Sequence, residues 1–541
     1  MRRGVAALAL ALVACGGEPP PDAGGTDASV DAGGGGVDAG EPPPFVEDDR
    51  WHRQAVFYEL WVRSFQDSDG DGIGDLAGLT SRLDYLADLG VGGLWLMPIY
   101  PSPLADSGYD VADYVGVHPD YGTLADFDAL IAAAHERGLR IYLDLVFNHT
   151  SLEHAWFQSA RSDPAGEHGD WFVWSDTEGL GCEGASGPFG DVRWTLDDVR
   201  GQFYFHQFYP AQPDLNFDQP AMRTALLDVA RFWLDRGADG FRLDVPYRYD
   251  EDLPVCVHRP GTFEFLRALR AVTDEHDAAM VGEILASPEE LANYLEDDVL
   301  QMGFLLAEAT LFSLAATTEN ASSLGRAFDT LAATTPARGA FCPVLGNHDL
   351  VRATDAVDDD QGALRVMAGT LLTLPGVPFV YYGEELGMQG GTDIIVDGRD
   401  SARTPMPWDA TATAGFTTGT PFLALGPDHA TRNVESETAD PSSMLAWYRR
   451  LIHLRNDTPA LRTGTYQRLS SPRPQLVYWR RHPDGDRLVV ANFAATEGEV
   501  SVAVPWAAVH DDVSDADVGT VTDGLLTGTI AARTVWVLRS R

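Results

Sequence analysis

The chain has 541 residues, 45% apolar and 22% charged, a balance that excludes a wholly disordered chain and a polytopic membrane protein. Asp and Glu number 81 against 38 Lys and Arg, a formal net charge of −43. A surface this acidic repels phosphate backbones, so nucleic acid is not an expected partner.

Residues 1–15, MRRGVAALALALVAC, place two arginines before an apolar run too short to span a bilayer, which is the pattern of a secretory signal. The ending Leu12-Val13-Ala14-Cys15 resembles a bacterial lipobox, which implies a lipid on Cys15. Residues 16–50 are dominated by Gly, Pro, Ala and Asp and read as a disordered tether. The expectation is an exported monomer, held to the bacterial cell envelope at the outer membrane or cell surface only by a lipid anchor at Cys15.

From residue 51, buried-strand runs alternate with amphipathic ones. The strand AVFYELWV (55–62) precedes a loop, DSDGDGIGD, and a helix over 76–90. Asp67, Asp69, Asp71 and Asp75 alternate along that loop, with glycines for the tight turn, a donor set suited to a structural Ca²⁺. The twelfth position is Gly78 rather than Glu, which speaks against an EF-hand. GGLWLMPI (92–99), a helix over 124–138 and RIYLDLVFN (140–148) follow. Residues 150–213 break the rhythm and read as an inserted small domain, in which Trp156, Trp171, Trp174 and Trp194 are candidate sugar-stacking platforms.

The alternation then resumes: helix 221–237, GFRLDVP (240–246), helix 261–276, MVGEIL (280–285), helix 287–298, QMGFLL (301–306), helix 320–334, FCPVLGNH (341–348), helix 362–374, PFVYYGEE (378–385) and helix 441–457. Eight strands alternating with eight helices predict an α/β fold, a (β/α)₈ TIM barrel built from 51–149 and 214–458. Residues 459–541 carry short alternating runs and predict a C-terminal antiparallel β domain. Beyond Cys15, Cys182, Cys256 and Cys342 allow one disulfide and one free thiol, or no disulfide, and spacing does not choose a pair.

Barrel enzymes present catalytic residues at the C-terminal ends of their strands. Those ends carry Asp144, Asn148 and His149, then Arg242 and Asp244, then Glu283, then Asn347, His348 and Asp349. Carboxyl groups converging on one mouth suit glycoside hydrolysis, which needs an ionised nucleophile and a protonated general acid. Arg242 shares a strand face with Asp244 and favours its ionised form, marking the nucleophile. Glu283 follows an apolar strand with no basic neighbour in sequence, so desolvation raises its pKa as an acid/base requires. Asp349, His149 and His348 are placed to hold sugar hydroxyls.

These segments resemble the α-amylase family of glycoside hydrolases over about 55–541. DLVFNH, GFRLD, VGEI and GNHD are similar to its four principal regions, and GGLWLMPIYPSP, QPDLN and GVPFVYYGEELGM to its secondary ones. The resemblance implies Asp244 as nucleophile, Glu283 as acid/base and Asp349 as transition-state stabiliser, in a double displacement with retention. It also implies a −1 sugar subsite lined by Arg242, His149, His348 and Tyr109, with Asp106 capping the sugar as in the oligo-1,6-glucosidase branch. Arg403 and Arg399 compete for one further place there. In the same branch the 67–75 loop binds calcium, with the Ile73 carbonyl as an added ligand. The family's second calcium site has His where Arg248 stands here, and the resemblance does not extend to it.

The stretch between Asp244 and Glu283 is shorter than in oligo-1,6-glucosidases and resembles an intermediate group that includes lipoprotein α-amylases. A short loop implies an open cleft, so the leading expectation is an α-amylase acting on starch-type glucans and malto-oligosaccharides. The alternatives are an exo-acting α-glucosidase or oligo-1,6-glucosidase, a trehalose-synthase-like transglycosylase, and a non-catalytic surface glucan-binding lipoprotein.

Overall fold

The computed structural model describes residues 45–182, 193–304 and 306–541. The signal-like segment with Cys15, and the tether up to residue 44, lie outside the described residues. Among the described residues no helix is long and apolar enough to cross a membrane.

Eight parallel strands form the central sheet: β1 (Phe57–Leu60), β2 (Gly93–Leu96), β3 (Arg140–Leu145), β7 (Gly240–Leu243), β8 (Ala279–Glu283), β9 (Met302–Phe304), β10 (Ala340–Cys342) and β11 (Phe379–Tyr381). Their order is β10-β9-β8-β7-β3-β2-β1-β11. Two backbone hydrogen bonds bridge the remaining gap between β10 and β11, from Val377 N–H to the Phe341 carbonyl at 3.0 Å and from Phe379 N–H to the Pro343 carbonyl at 3.1 Å. The predicted TIM barrel is the observed architecture.

Alternate residues along each strand separate into two apolar clusters. Tyr58, Leu60, Leu94, Leu96, Ile141, Leu143, Phe241 and Leu243 join the large core that includes the helices. Phe57, Trp95, Tyr142, Ala279, Val281, Met302, Cys342 and Phe379 form a second, interior cluster. Phe57 and Phe379 stack at 4.5 Å within it. Interior space is short, and a methyl group at Gly240 would land on the Ala279 carbonyl oxygen and the Tyr142 ring.

The strands are shorter than their apolar runs, because the residues that carry chemistry sit just past the strand ends. Asp244 follows β7 and is itself followed by Val245 at φ 37°. A β-branched residue in the left-handed region stores about 1–3 kcal/mol of strain, which the surrounding packing has to over-determine.

The helix expected over 76–90 is two, Leu76–Ser81 and Leu83–Leu89. Thr80 and Ser81 hydroxyls donate back to the Leu76 and Gly78 carbonyls, competing with helix propagation at that joint. The helix Ala309–Thr318 escaped the sequence reading. Its buried stripe is largely alanine, with Phe312 as the one large apolar residue, so its apolar periodicity is faint.

The insertion carries the helix Ala155–Ser162 and a small antiparallel sheet of β4 (Trp174–Ser175), β5 (Trp194–Asp197) and β6 (Gln202–Phe205), ordered β4-β6-β5. Its tryptophans pack rather than offer platforms. Trp171 and Trp194 are buried, Trp156 meets Trp171 edge-on at 4.9 Å, and Trp174 stacks on Phe157 at 5.5 Å. Cys182 and Cys256 form a disulfide across a separation of 74 residues, tying the insertion to the loop after β7, and Cys342 is a buried free thiol.

Beyond the helix Met444–Asp457, β12 (Thr465–Leu469) begins a C-terminal region of two antiparallel sheets. It locks onto the barrel through buried polar contacts, the Tyr478 hydroxyl with Thr373 at 2.6 Å and Arg480 to the Thr373 carbonyl at 2.7 Å. The tight barrel interior gives a direct expectation. Gly240→Ala destabilises the fold by about 1–3 kcal/mol through overpacking. Urea denaturation checks it, and an unchanged midpoint contradicts the packing described here.

Candidate active site

Arg242, on β7, is 1% exposed and gathers carboxylates from three elements. Its Nη1 donates to both oxygens of Asp144 on β3, at 2.8 and 3.0 Å, and to Oδ1 of Asp244 at 2.8 Å. Its Nη2 donates to Oε2 of Glu283 at the end of β8. The guanidinium also lies 5.0 Å from the Trp95 ring centroid. Asp244 and Glu283 therefore open onto one cation, and Glu283, which has no basic neighbour in sequence, has one in space.

Burial pushes the Asp244 carboxyl up to about 7. Arg242 opposes that shift, and the like charges of Asp144 and Asp349 add to it. Arg242 favours the ionised form of Asp244, as its place on the same strand suggests, but desolvation outweighs one shared cation. Burial likewise raises Glu283 to about 8, against Arg242 and with Asp244 and Asp349 adding to the rise. The order of the two groups is the one the sequence suggested.

Asp349 behaves oppositely. Burial raises it, but His348, Arg399 and Arg403 together hold it well below the usual carboxylate range. Arg399 and Arg403 donate to its Oδ1 at 3.0 and 3.1 Å, and His348 Nε2 lies 3.3 Å from its Oδ2. Both competing arginines thus reach Asp349. Arg403 also donates to the His348 carbonyl at 2.9 Å, and Arg399 alone extends to Asp106, at 2.5 Å. The turn itself is set by Asn347, whose side-chain oxygen accepts from the N–H groups of Asp349 and Leu350.

The remaining expected residues line the same mouth. The Tyr109 ring stacks on His348 at 5.3 Å, and its hydroxyl donates to Asp144 at 2.9 Å. His149 Nε2 lies 3.1 Å from the Tyr109 carbonyl and 3.0 Å from Gln212 Nε2. Gln212 in turn donates to Asp106 at 2.9 Å. Asp110 organises this loop by accepting from the N–H groups of Ala105 and Asp106 and from Ser102. At the outer edge, Tyr209 of the insertion donates to Asp397, which also pairs with Arg399. Four segments are knotted at Arg399 in this way.

Gln212, Trp95 and Glu59 were not singled out from sequence. Gln212 lies inside the QPDLN motif, and a lone acid at position 59 within an apolar buried strand is itself a signal.

In the 67–75 loop, Asp67, Asp69 and Asp71 bring ligand oxygens within 4.8 Å of one another. Asp71 is raised by its partial burial and by the like charges of Asp69 and Asp67, the situation a hard cation relieves. Asp75 closes the loop. Its carboxylate caps the helix Leu76–Ser81 through Gly78 N–H and accepts from Ser68, fixing the end of the loop. Arg248 donates to Gln207 of the insertion at 2.7 Å.

The model of the α-amylase catalytic domain family matches residues 59–464. The trehalose synthase/amylase TreS of Mycolicibacterium smegmatis is 38% identical over 505 residues, 82% of each chain. A probable α-glucosidase of Rhizobium meliloti is 36% identical over 516 residues, covering 85% of this chain and 92% of that protein. The crystal structure of the α-glucosyl transfer enzyme XgtA superposes with a TM-score of 0.82 at 33% identity, covering 91% of this chain and all of that one. The chain belongs to the α-amylase family of glycoside hydrolases. It is an enzyme acting on O-glycosyl bonds.

Proposed function

We propose that the protein is a retaining, exo-acting α-glucosidase of short oligosaccharides. Asp244 attacks the anomeric carbon while Glu283 gives its proton to the departing glycosidic oxygen. Glu283 then takes a proton from the incoming hydroxyl as that oxygen displaces Asp244 from the glucosyl-enzyme. Asp349, held ionised by Arg399 and Arg403, faces the positive charge that develops on the sugar ring.

The observation that carries the exo reading is the Arg399 knot. Asp106, Asp349, Asp397 and Tyr209 meet there and wall one end of the mouth, where an internal bond of a long glucan needs an open cleft. This departs from the starch-type α-amylase expected from the short Asp244–Glu283 stretch. The similarity to proteins named α-glucosidase and trehalose synthase favours the same alternative. A second reading, transfer of the glucosyl group to a sugar acceptor instead of water, is favoured by the likeness to TreS and XgtA.

Maltose, isomaltose, trehalose and soluble starch, digested side by side, test these readings. Glucose released from the disaccharides well ahead of starch is the expected result, with an α-anomeric first product by NMR. Rapid loss of starch viscosity restores the α-amylase reading, and a β-anomer removes the double displacement. Glu283→Gln is expected to abolish turnover of unactivated glucosides.

The pH dependence follows from the two raised carboxyls. Asp244 must be ionised, so kcat/KM falls on the acid side as it takes up a proton near 7. Glu283 must be protonated, so kcat/KM falls on the alkaline side as it loses its proton near 8. A measured profile with its acid limb near pH 4 contradicts this assignment.

We also propose that the 67–75 loop holds a structural Ca²⁺ through Asp67, Asp69, Asp71, Asp75 and the Ile73 carbonyl, the first three of which already gather their oxygens. Chelation is expected to lower Tm in the parent protein and to leave the Tm of Asp69→Ala unmoved. An equal chelator response in both places the ion elsewhere.

A further inference from the structure

Glu59 is a carboxylic acid on the interior of β1, 1% exposed, and the chemistry above does not use it. Its Oε1 lies 2.5 Å from Nδ1 of His348 and accepts from the His348 backbone N–H at 3.3 Å. The other ring nitrogen, Nε2, lies 2.8 Å from the Tyr109 hydroxyl and 3.3 Å from Oδ2 of Asp349. His348 is thus held from behind by Glu59 and faces the sugar pocket with Nε2.

Counting protons decides what Glu59 does. Asp144 receives Arg242 on both oxygens and the Trp95 indole N–H at 3.2 Å, so it is an acceptor. The Tyr109 hydroxyl commits its single proton to Asp144, at 2.9 Å, and turns a lone pair toward Nε2. Asp349, on the other side of Nε2, is held ionised by two arginines and is also an acceptor. Two acceptors around Nε2 require that nitrogen to carry a proton. Both side chains are 1% exposed, so an imidazolium–carboxylate pair would strip two ions of water, and the uncharged pair is the stable one. Burial pushes the imidazole down and the Glu59 carboxyl up accordingly. A neutral imidazole protonated at Nε2 offers only a lone pair at Nδ1, and Glu59 must then be the donor.

We propose that Glu59 is a positioning residue that works as a neutral acid, its carboxyl O–H bonded to Nδ1 of His348 and fixing the ring as the Nε2–H tautomer between Tyr109 and Asp349. The consequence for sugar binding rests on the α-glucosyl reading of the pocket given above. The arrangement is the reverse of a carboxylate that orients an imidazole by accepting Nδ1–H, where an amide replacement forces the wrong tautomer. At position 59 a glutamine amide N–H donates to Nδ1 as the acid does.

The test compares Glu59→Gln and Glu59→Leu in the full chain. Protein labelled with ¹⁵N-histidine reports the tautomer by long-range ¹H–¹⁵N correlation, with the His348 signals assigned from His348→Asn. The wild type and Glu59→Gln are expected to show His348 protonated at Nε2. Glu59→Gln is expected to keep kcat/KM for p-nitrophenyl α-glucoside within about threefold of wild type, because it preserves the same donor. Glu59→Leu leaves Nδ1 without a donor, loosens the ring and is expected to lose on the order of 100-fold. Protonation at Nδ1 in the wild type overturns the proposal, as does a Glu59→Gln loss equal to that of Glu59→Leu. If Glu59→Leu does not fold, the tautomer and the Glu59→Gln rate decide alone. A wild type inert on every α-glucoside but carrying Nε2–H at His348 refutes the functional reading and upholds the tautomer assignment.

Discussion

One buried guanidinium sets the terms for the catalytic end of this barrel. Arg242 is enclosed by protein, and an unpaired charge there is strongly unfavourable. Three acids answer it: Asp144, Asp244 and Glu283. One positive charge cannot hold three carboxylates ionised out of water, so a proton has to reside on Asp244 or Glu283, while Asp144 accepts from Arg242, Trp95 and Tyr109. Asp349 stands on the other side of the pocket with Arg399, Arg403 and His348 against it, and it stays ionised. The local ratio of cations to acids sorts four chemically similar side chains into two acceptors, Asp144 and Asp349, and a pair, Asp244 and Glu283, that shares a proton. The same crowding that makes the site costly in folding free energy makes it reactive.

The barrel makes that crowding affordable by putting it in a layer. Alternation along parallel strands pairs Glu59 with Trp95 and Asp144 with Arg242 in register, one step beyond Phe57, Tyr142 and Ala279. Aromatic rings, Phe57, Tyr142 and Phe379 among them, fill the space on the N-terminal side of the polar layer. The loops that follow contribute the aimed groups. Val245, in its unfavourable conformation, turns the chain directly after Asp244.

Much of this was legible from the chain alone, for identifiable reasons. The eight strands were visible because buried parallel strands concentrate Val, Ile, Leu and Phe over several residues. The acids were visible because each interrupts or ends such a run. The joint at Arg82 was not, since apolar periodicity continues across it and only the backbonding of Thr80 and Ser81 breaks the helix. The tryptophans of the insertion left packing and sugar stacking both open, because composition does not say which face of a ring is covered. The Arg242–Glu283 contact joins residues on different strands and leaves no trace in local sequence. Pairing among the three cysteines depended on where the loop after β7 travels, which spacing does not encode. Chain-length preference was least legible, because the length of the loop after Asp244 says nothing of a different loop whose Arg399 pairs with Asp397 and reaches Asp106.

The Cys182–Cys256 bridge joins the insertion to the same loop that leaves Asp244. A covalent staple at that place makes two flanks of the entrance move as a single body. Any acceptor that displaces the loop has to carry part of the insertion with it, so the aperture resists stretching around bulky aglycones.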